Sequence, residues 1–430
     1  MAPDPGHILA LAAVSLTTAA VLAWLNHRFI GLPTTIGVML IALAMSLGLQ
    51  LLTAVGIPLE QPVERLLVEV DFSETVLDAM LAFLLFAGAL HVKLEHLREQ
   101  KWIITTLATV GVLVSTALVA CMTYLLADML AMQVTFGSCL LFGALISPTD
   151  PIAVLGILKS AGVPKSLETK ITGESLFNDG IAVVVFSLLV GLVASGHAEG
   201  GGHAVTGAAD IAGLLAVEVG GALVLGLTCG WVAYRMLSTV DSYQVEVLIT
   251  LALCTGVYAL ASSLHSSGPL AVVVAGLLIG NSGRRYAMSE RTVEHLDTFW
   301  ELVDEILNVV LFVLIGMEVL ILTYDGRHVV AGLLVIPVVL LARFAAVGGA
   351  VTLLLRRRRF SPHAIKIITW AGLRGGISVA LALSLSPTTP ARDLIVTMTY
   401  IVVIFSIVVQ GLSVAPLVRA TAACNDGTAG

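Results

Sequence analysis

The feature that most constrains this chain is a series of apolar runs, each long enough to cross a membrane. One crossing of the hydrocarbon needs ~20 mostly apolar residues in a helix. Only 12% of the 430 residues are charged, whereas a soluble globular domain carries roughly a quarter. The sequence therefore predicts an all-α membrane protein with about thirteen transmembrane helices and short loops. The runs lie near residues 7–26, 33–54, 74–92, 101–127, 135–158, 168–195, 208–234, 243–264, 268–283, 300–322, 327–355, 362–386 and 393–418.

Positive charge is distributed unevenly between the loops. Short cytoplasmic loops retain Lys and Arg, whereas the opposite loops do not. With the N-terminus outside, only Arg65, Arg327 and Arg392 of the 22 basic residues lie on the outer side, and the C-terminus is cytoplasmic. A miscounted span would exchange the sides of all later loops, so this division supports thirteen spans. We expect a multi-pass protein of a prokaryotic inner (plasma) membrane, surrounded by lipid.

Composition and motifs exclude several function classes. The net charge of -7 argues against nucleic acid as a partner, because binding phosphates requires clustered excess Lys and Arg. The five cysteines have no metal-ligand spacing, so we expect no cofactor. An enzyme is disfavoured because the sequence contains no His-Glu-x-x-His pattern and because Ser175 has no buried base that could activate it.

The fifth apolar run contains two prolines, Pro148 and Pro151, on either side of Thr149 and Asp150. Proline lacks an amide hydrogen and pushes the preceding residue out of helical geometry, so we expect the helix to break around Asp150. Broken backbone inside a membrane is tolerated where it lines a cavity, and freed carbonyls are good ligands for a cation. The alternative is a plain proline kink in which Asp150 caps the second half-helix.

The sixth run carries two acids. Ser175 and Asp179 are four residues apart and share one helix face, while Glu174 and Asn178 share a face turned by about 100°. Two uncompensated carboxylates at this depth would be prohibitive, so we expect Glu174 to pair with Arg374 in the twelfth run.

Under that pairing Asp179 is left without a basic partner. A buried carboxylate of this kind can hold either a proton or a sodium ion, and the two compete for the same oxygens. The alternative is that Asp179 only forms hydrogen bonds between helices.

The twelfth run places Gly372, Gly375 and Gly376 around Arg374. Glycines weaken a helix and permit local unwinding. The fifth and twelfth runs are seven apart, and an odd offset reverses the direction of crossing. Two interrupted helices in corresponding positions therefore predict an inverted repeat, with the site where they cross near the membrane midplane.

In the three motifs at residues 147–151, 173–180 and 372–376, the chain resembles the cation:proton antiporters of the NhaP and sodium/proton exchanger type. The resemblance implies thirteen helices, a homodimer, and a core domain that moves against an interface domain. The core helices would lie at about 101–195 and 327–418, and the interface helices at about 7–92 and 208–322.

The resemblance also implies residue roles. Asp179 would bind the transported ion, with Thr149, Asp150 and Ser175 completing the sodium site directly or through water. As a structural brace, Glu174 and Asn178 would contact Arg374.

Electroneutral exchange of Na⁺, or Li⁺, for H⁺ by alternating access around Asp179 is the function that follows, with a role in pH homeostasis. Through the resemblance, the Asn178-Asp179 pair implies one cation per proton. One departure concerns the third run, where several relatives carry an acidic residue and this chain has Ala87, which leaves the choice of cation open. The alternatives are a K⁺/H⁺ antiporter on the same scaffold and a cation channel, which would need a continuous polar face.

Overall fold

The computed structural model describes residues 5–54, 74–92, 102–150, 165–195, 213, 216–264, 266–318, 325–355 and 364–426. Within these ranges the regular structure is helical, apart from one isolated backbone bridge. The first helices are α1 Pro5–Leu25, α2 Thr34–Ala54, α3 Glu74–His91, α4 Val112–Met129, α5 Phe136–Ile146, α6 Lys165–Ser195, α7 Gly221–Leu237 and α8 Tyr243–Ser263. The remainder are α9 Gly268–Leu278, α10 Arg284–Tyr286, α11 Glu290–Glu318, α12 Gly326–Leu355, α13 Ala364–Ala371, α14 Gly376–Leu383, α15 Arg392–Phe405 and α16 Gly411–Asp426.

Short π-helical turns extend or join several of these helices. A π turn inserts one extra residue into a helix and so shifts the faces that follow it. The turn between α15 and α16 allows these two helices to form one long apolar segment. The π turns are Asn26–Ile30, Leu107–Gly111, Ala216–Gly220, Ile279–Gly283 and Ser406–Gln410.

Seven helical segments of the described residues are long and apolar enough to cross a membrane. This confirms an all-helical membrane protein. The count of thirteen spans, the inverted repeat and the division into core and interface domains stay predictions. The seven segments are Thr34–Leu52, Trp102–Met129, Lys170–Val193, Ala216–Leu237, Tyr243–Ser263, Gly326–Thr352 and Arg392–Ala420.

Local sequence explains where α5 and α9, two helices of 11 residues, begin. α5 starts after Thr135, whose hydroxyl accepts a hydrogen bond from the amide of Ser138 at 3.2 Å. α9 starts after Ser267, whose hydroxyl accepts from the amide of Leu270 at 3.4 Å, and a proline follows in the first turn. Both caps satisfy amides that a helix start leaves without partners.

Glycines allow the helices near the site to approach closely. A Cβ at Gly143 of α5 would lie 2.5 Å from the carbonyl oxygen of Thr116 in α4. A Cβ at Gly226 of α7 would lie 2.5 Å from the carbonyl oxygen of Ala271 in α9. Real side chains essentially never make such contacts, so these two helix pairs require glycine.

Two interrupted segments meet inside this bundle. α5 ends at Ile146, and residues 147–150 are not helical. α13 ends at Ala371 and α14 begins at Gly376, so residues 372–375 form a second gap in the helices. Both gaps fall where the sequence predicts an interruption, although Pro151 lies outside the described residues.

Candidate ion-binding site

The two non-helical segments are joined by their backbones. The amide of Asp150 donates a hydrogen bond of 2.8 Å to the carbonyl oxygen of Leu373, in a single antiparallel bridge. Extended backbone inside a membrane protein must find partners within the protein, because the hydrocarbon offers none. The bridge therefore places Asp150 of the fifth run directly beside the glycine-rich segment of the twelfth.

Glycine at position 375 makes room for the side chain of Asp150. A Cβ added there would overlap the carboxylate of Asp150. At Gly376 a Cβ would overlap the side chain of Leu311 in α11. A side chain at position 375 would force the two interrupted segments apart, and one at position 376 would press on α11, so both glycines serve close approach as well as local unwinding.

Arg374 lies between the two segments and is 2% exposed. Its Nη1 atom donates hydrogen bonds to the carbonyl oxygens of Ser147 and Pro148, the latter at 2.7 Å. Its amide donates to the hydroxyl of Ser406 at 2.8 Å. The sequence suggested that carbonyls freed in this segment would be cation ligands. In the structure, the carbonyls of Ser147 and Pro148 accept hydrogen bonds from the guanidinium instead. The guanidinium thereby neutralises the negative end of α5.

The predicted pairing of Glu174 with Arg374 is wrong. Glu174 Oε1 lies 2.5 Å from Nη1 of Arg343, on α12. Both side chains are buried, Glu174 at 1% exposure, and Nη2 of Arg343 also contacts the carbonyl oxygen of Ile368 at 3.5 Å. The difference lies in helix positions: Nη1 of Arg374 is directed at the carbonyls of the fifth run, while α12 brings Arg343 into contact with the acid.

Asn178 also has a different partner from the expected Arg374. Its Nδ2 donates to the hydroxyl of Thr149 at 2.9 Å, and its Oδ1 accepts from the amide of Thr149 at 3.4 Å. The hydroxyl of Ser175 donates to the carbonyl oxygen of Thr149. Thr149 is thus held by two residues of α6, which fixes the interrupted segment against that helix. The brace is therefore made by Asn178 and Ser175 at this point.

Asp179 is buried, with 6% of its surface exposed. Among the described residues it has no ion pair, and the charge that acts on it is that of another acid, Asp150. Asp150 itself is half-buried. The structure therefore brings four predicted site residues together: Thr149 contacts Ser175 directly, and the two carboxylates lie close enough to repel each other when both are charged.

Sequence reasoning missed Arg343. The available signal was its position, because Arg343 is the second arginine inside a predicted span and buried basic side chains in membranes pair with acids. Ala87 is buried in α3 and supplies no oxygen from its side chain. The oxygens at this site therefore come from the fifth and sixth runs.

The comparisons with known proteins agree over nearly the whole chain. Residues 16–420 match the family described as sodium/hydrogen exchanger, transmembrane. The chain is 51% identical over 416 residues to the Na(+)/H(+) antiporter NhaP of Pseudomonas aeruginosa, with 96% of each sequence covered. It is 36% identical over 417 residues to the Na(+)/H(+) antiporter NhaH of Halobacillus dabanensis, again with 96% of each covered.

The fold has a counterpart among solved structures. The sodium proton antiporter MjNhaP1 from Methanocaldococcus jannaschii superimposes with a TM-score of 0.74 at 19% sequence identity, covering 96% of this chain and 98% of that chain. At that identity the likeness concerns the fold alone. Together with the family match and the close relatives, it leads to one conclusion: this chain belongs to the sodium/hydrogen exchanger family of transmembrane antiporters.

Proposed function

We propose that this protein exchanges Na⁺ for H⁺ across a membrane, with Asp179 holding the two ions in turn. The single observation that carries the proposal is the state of the two acids on α6. Glu174 is neutralised by Arg343, whereas Asp179 is also buried but has no ion pair in the described part of the chain. A buried carboxylate without a basic partner has to take up a proton or a metal cation to be neutral.

Oxygen atoms for a sodium ion are present beside Asp179. Asp150 adds a second carboxylate, and Thr149 has a hydroxyl and a carbonyl that each accept one hydrogen bond from α6. An oxygen acceptor has two lone pairs, so an accepted hydrogen bond leaves one for a cation. Carboxylate, hydroxyl and carbonyl oxygens suit a hard cation such as Na⁺. Ser175 contributes by holding Thr149 in place and through its own oxygen.

The exchange is coupled because one carboxylate serves both ions. Na⁺ binds after Asp179 loses its proton, and proton binding expels the cation. A core domain at about 101–195 and 327–418 carries the loaded site past an interface domain at about 7–92 and 208–322, so that it opens to each side in turn. The Asn178-Asp179 pair supports an electroneutral cycle with one proton per cation.

We further propose that the protein is a homodimer in the inner (plasma) membrane, with thirteen spans, the N-terminus outside and the C-terminus in the cytoplasm. The uneven distribution of Lys and Arg supports this orientation. Exchange of Na⁺ for H⁺ in that membrane serves pH homeostasis.

A K⁺/H⁺ antiporter on the same scaffold is the second candidate. Position 87 is an alanine, so it adds no carboxylate to the site that could select Na⁺ over K⁺. The printed names of the two close relatives, both Na(+)/H(+) antiporters, favour Na⁺, with Li⁺ as a further substrate. A cation channel is less well supported, because an unpaired acid that binds its ion tightly slows conduction.

The test is a transport assay in proteoliposomes that contain a pH-sensitive dye. Gradients of Na⁺, Li⁺ and K⁺ are compared with the membrane potential clamped and unclamped. We expect Na⁺ and Li⁺ to move protons at a rate that the clamp does not change, and Asp179→Asn to abolish the movement. Retained exchange in Asp179→Asn would end the assignment of this residue, and a rate that follows the potential would exclude electroneutrality.

A further inference from the structure

A small cavity lies between α12, the interrupted twelfth run and α15. Apolar side chains of α12 and α15 form much of its wall, among them Val339 and Val402. The space has room for about one water-sized group. The residues with polar side chains in its lining are Arg343, Thr369, Arg374 and Gln410.

Three polar atoms of this lining have no hydrogen-bond partner among the described residues. They are Nε of Arg343, Nη2 of Arg374 and the hydroxyl oxygen of Thr369. All three residues are more than nine-tenths buried, with exposures of 6%, 2% and 8% in that order. The guanidinium nitrogens can only donate hydrogen bonds, and a hydroxyl can donate one. The lining therefore offers three donors to an acceptor in the cavity.

Gly372 allows the guanidinium of Arg343 to lie against the interrupted segment. A Cβ at position 372 would lie 2.8 Å from Nε and 3.0 Å from Nη2 of Arg343. Gly372 is itself part of the cavity lining, so this Nε lies close to the wall of the cavity. Because Arg374 follows two residues later and lines the same cavity, two guanidinium groups border one small space.

The charges around this space do not balance within the described residues. Glu174 contacts Nη1 of Arg343, so one carboxylate compensates one guanidinium. Arg374 donates to two neutral carbonyl oxygens, and in the described part of the chain it forms no ion pair. The positive charge of Arg343 also acts on that of Arg374. Since a buried charge is costly unless it is compensated, a second negative charge in the cavity would stabilise the two arginines.

We propose that this cavity binds a small monovalent anion of the halide class, such as chloride, through Nε of Arg343, Nη2 of Arg374 and the hydroxyl of Thr369. A monatomic anion is close to water in size, whereas sulfate and phosphate are too large for this space. Hydrogen bonds from charged donors are strong and replace part of the hydration that the anion loses. The bound anion joins α12 and α13 to the interrupted segment. It stabilises the folded protein and is not transported, so the inference does not depend on the proposed exchange.

The test measures thermal unfolding of the full chain in detergent while chloride replaces gluconate at constant Na⁺ concentration and ionic strength. We expect Tm to rise by ~2–5 °C and then to saturate, because an anion that binds only the folded protein stabilises it. In Thr369→Val the half-saturating chloride concentration should rise by ~3- to 10-fold, since one hydrogen bond to the anion is lost. Thr369→Ser keeps the hydroxyl and should retain the wild-type value.

Thr399→Val is the matched control. Thr399 is fully buried in α15, and its hydroxyl donates to the carbonyl oxygen of Ile395 in the same helix. It does not line the cavity, so its substitution should leave the chloride dependence unchanged. A wild-type Tm that is the same in chloride and gluconate would overturn the inference, as would equal chloride responses of Thr369→Val and the wild type. Because Na⁺ is held constant, neither result bears on the exchange of Na⁺ for H⁺.

A second measurement needs no variant and decides the question if Thr369→Val does not fold. Wild-type crystals grown in bromide are measured by anomalous diffraction, which locates the halide directly. We expect a peak between the guanidinium groups of Arg343 and Arg374, beside Thr369. A water molecule at that position, or bromide found only at the protein surface, would contradict the proposal.

Discussion

Glu174 and Asp179 lie five positions apart on one helix and both are buried, yet their surroundings differ. Glu174 lies 2.5 Å from a guanidinium nitrogen of Arg343. Asp179 lies near a second acid, Asp150, and has no ion pair within the described ranges. Burial of a charge is costly unless it is compensated, so the two acids represent two solutions to the same problem.

The difference separates structure from transport. The pair of Glu174 with Arg343 is neutral without any ion from outside, so it can hold α6 against α12 throughout a transport cycle. Asp179 is neutral only when it carries a proton or a cation. The ion bound to it can therefore differ between the two sides of the membrane. Under the proposed exchange, the acid that carries the ions is therefore distinguished by its neighbours and not by its burial alone.

The largest effect that tests this comparison is expected on stability. Glu174→Gln leaves Arg343 charged and buried without its partner, which should lower the free energy of unfolding by about 3–5 kcal/mol. Asp179→Asn removes an acid that has no ion pair in the described structure, so its stability should equal that of the wild type or exceed it. Thermal unfolding in detergent measures both.

The double variant Glu174→Gln with Arg343→Gln provides the control, because it removes both charges. Its loss of stability should be smaller than the sum of the two single losses. Additive losses, or a stable Glu174→Gln protein, would mean that the ion pair does not hold these helices together.

A second test uses the contact between Asn178 and Thr149. Asn178→Ala removes both hydrogen bonds and leaves the buried amide of Thr149 without its acceptor, which should cost about 1–3 kcal/mol. Because Thr149 also borders the pocket, the KM for Na⁺ should rise. A KM that is unchanged while stability falls would assign Asn178 to the structural side of the comparison.

The pH dependence of transport sharpens the contrast between the two acids. If protons and Na⁺ compete for Asp179, each unit of acidification should raise the apparent KM for Na⁺ by up to ~tenfold, with the maximal rate restored by excess Na⁺. Asp179 is expected to bind mainly protons at low pH and mainly Na⁺ at high pH. The slope should persist in any Glu174→Gln protein that folds, and its disappearance there would transfer the competition to Glu174.

The smallest expected effect concerns Ser175, whose hydroxyl donates to the carbonyl oxygen of Thr149. Ser175→Ala should cost about 0.5–1.5 kcal/mol in the binding of Na⁺, a few-fold rise in KM. Ser263→Ala is the matched control, because that exposed hydroxyl donates only to Leu260 in its own helix. Equal KM values for both variants would remove Ser175 from the site.

The interruptions and the depth of Asp179 could be predicted from sequence because they depend on local chemistry. Pro148 lacks an amide hydrogen wherever it is placed, and Gly375 and Gly376 weaken any helix. The spacing of Ser175 and Asp179 likewise places them on one face without further information. These features required no knowledge of which helices are neighbours.

The partners across helices could not be predicted in the same way. Two arginines, Arg343 and Arg374, lie within predicted spans, and the choice between them depends on where α12 and the interrupted twelfth run lie around α6. The motif at residues 372–376 favours Arg374, but Nη1 of Arg374 donates to the carbonyls of Ser147 and Pro148, and Arg343 is the arginine that contacts Glu174. Helix packing determines which arginine pairs with Glu174, and a single sequence contains no direct information on that packing.

The bond between the amide of Asp150 and the carbonyl oxygen of Leu373 has a consequence for how members of this scaffold diversify. It is made by main-chain atoms, so it does not depend on the side chain at position 373, and at position 150 it tolerates residues other than proline that fit beside Gly375. The side chains around the proposed ion site can therefore change during evolution while the main-chain bond between Asp150 and Leu373 is retained. A change of preferred cation then needs new side chains but no new architecture.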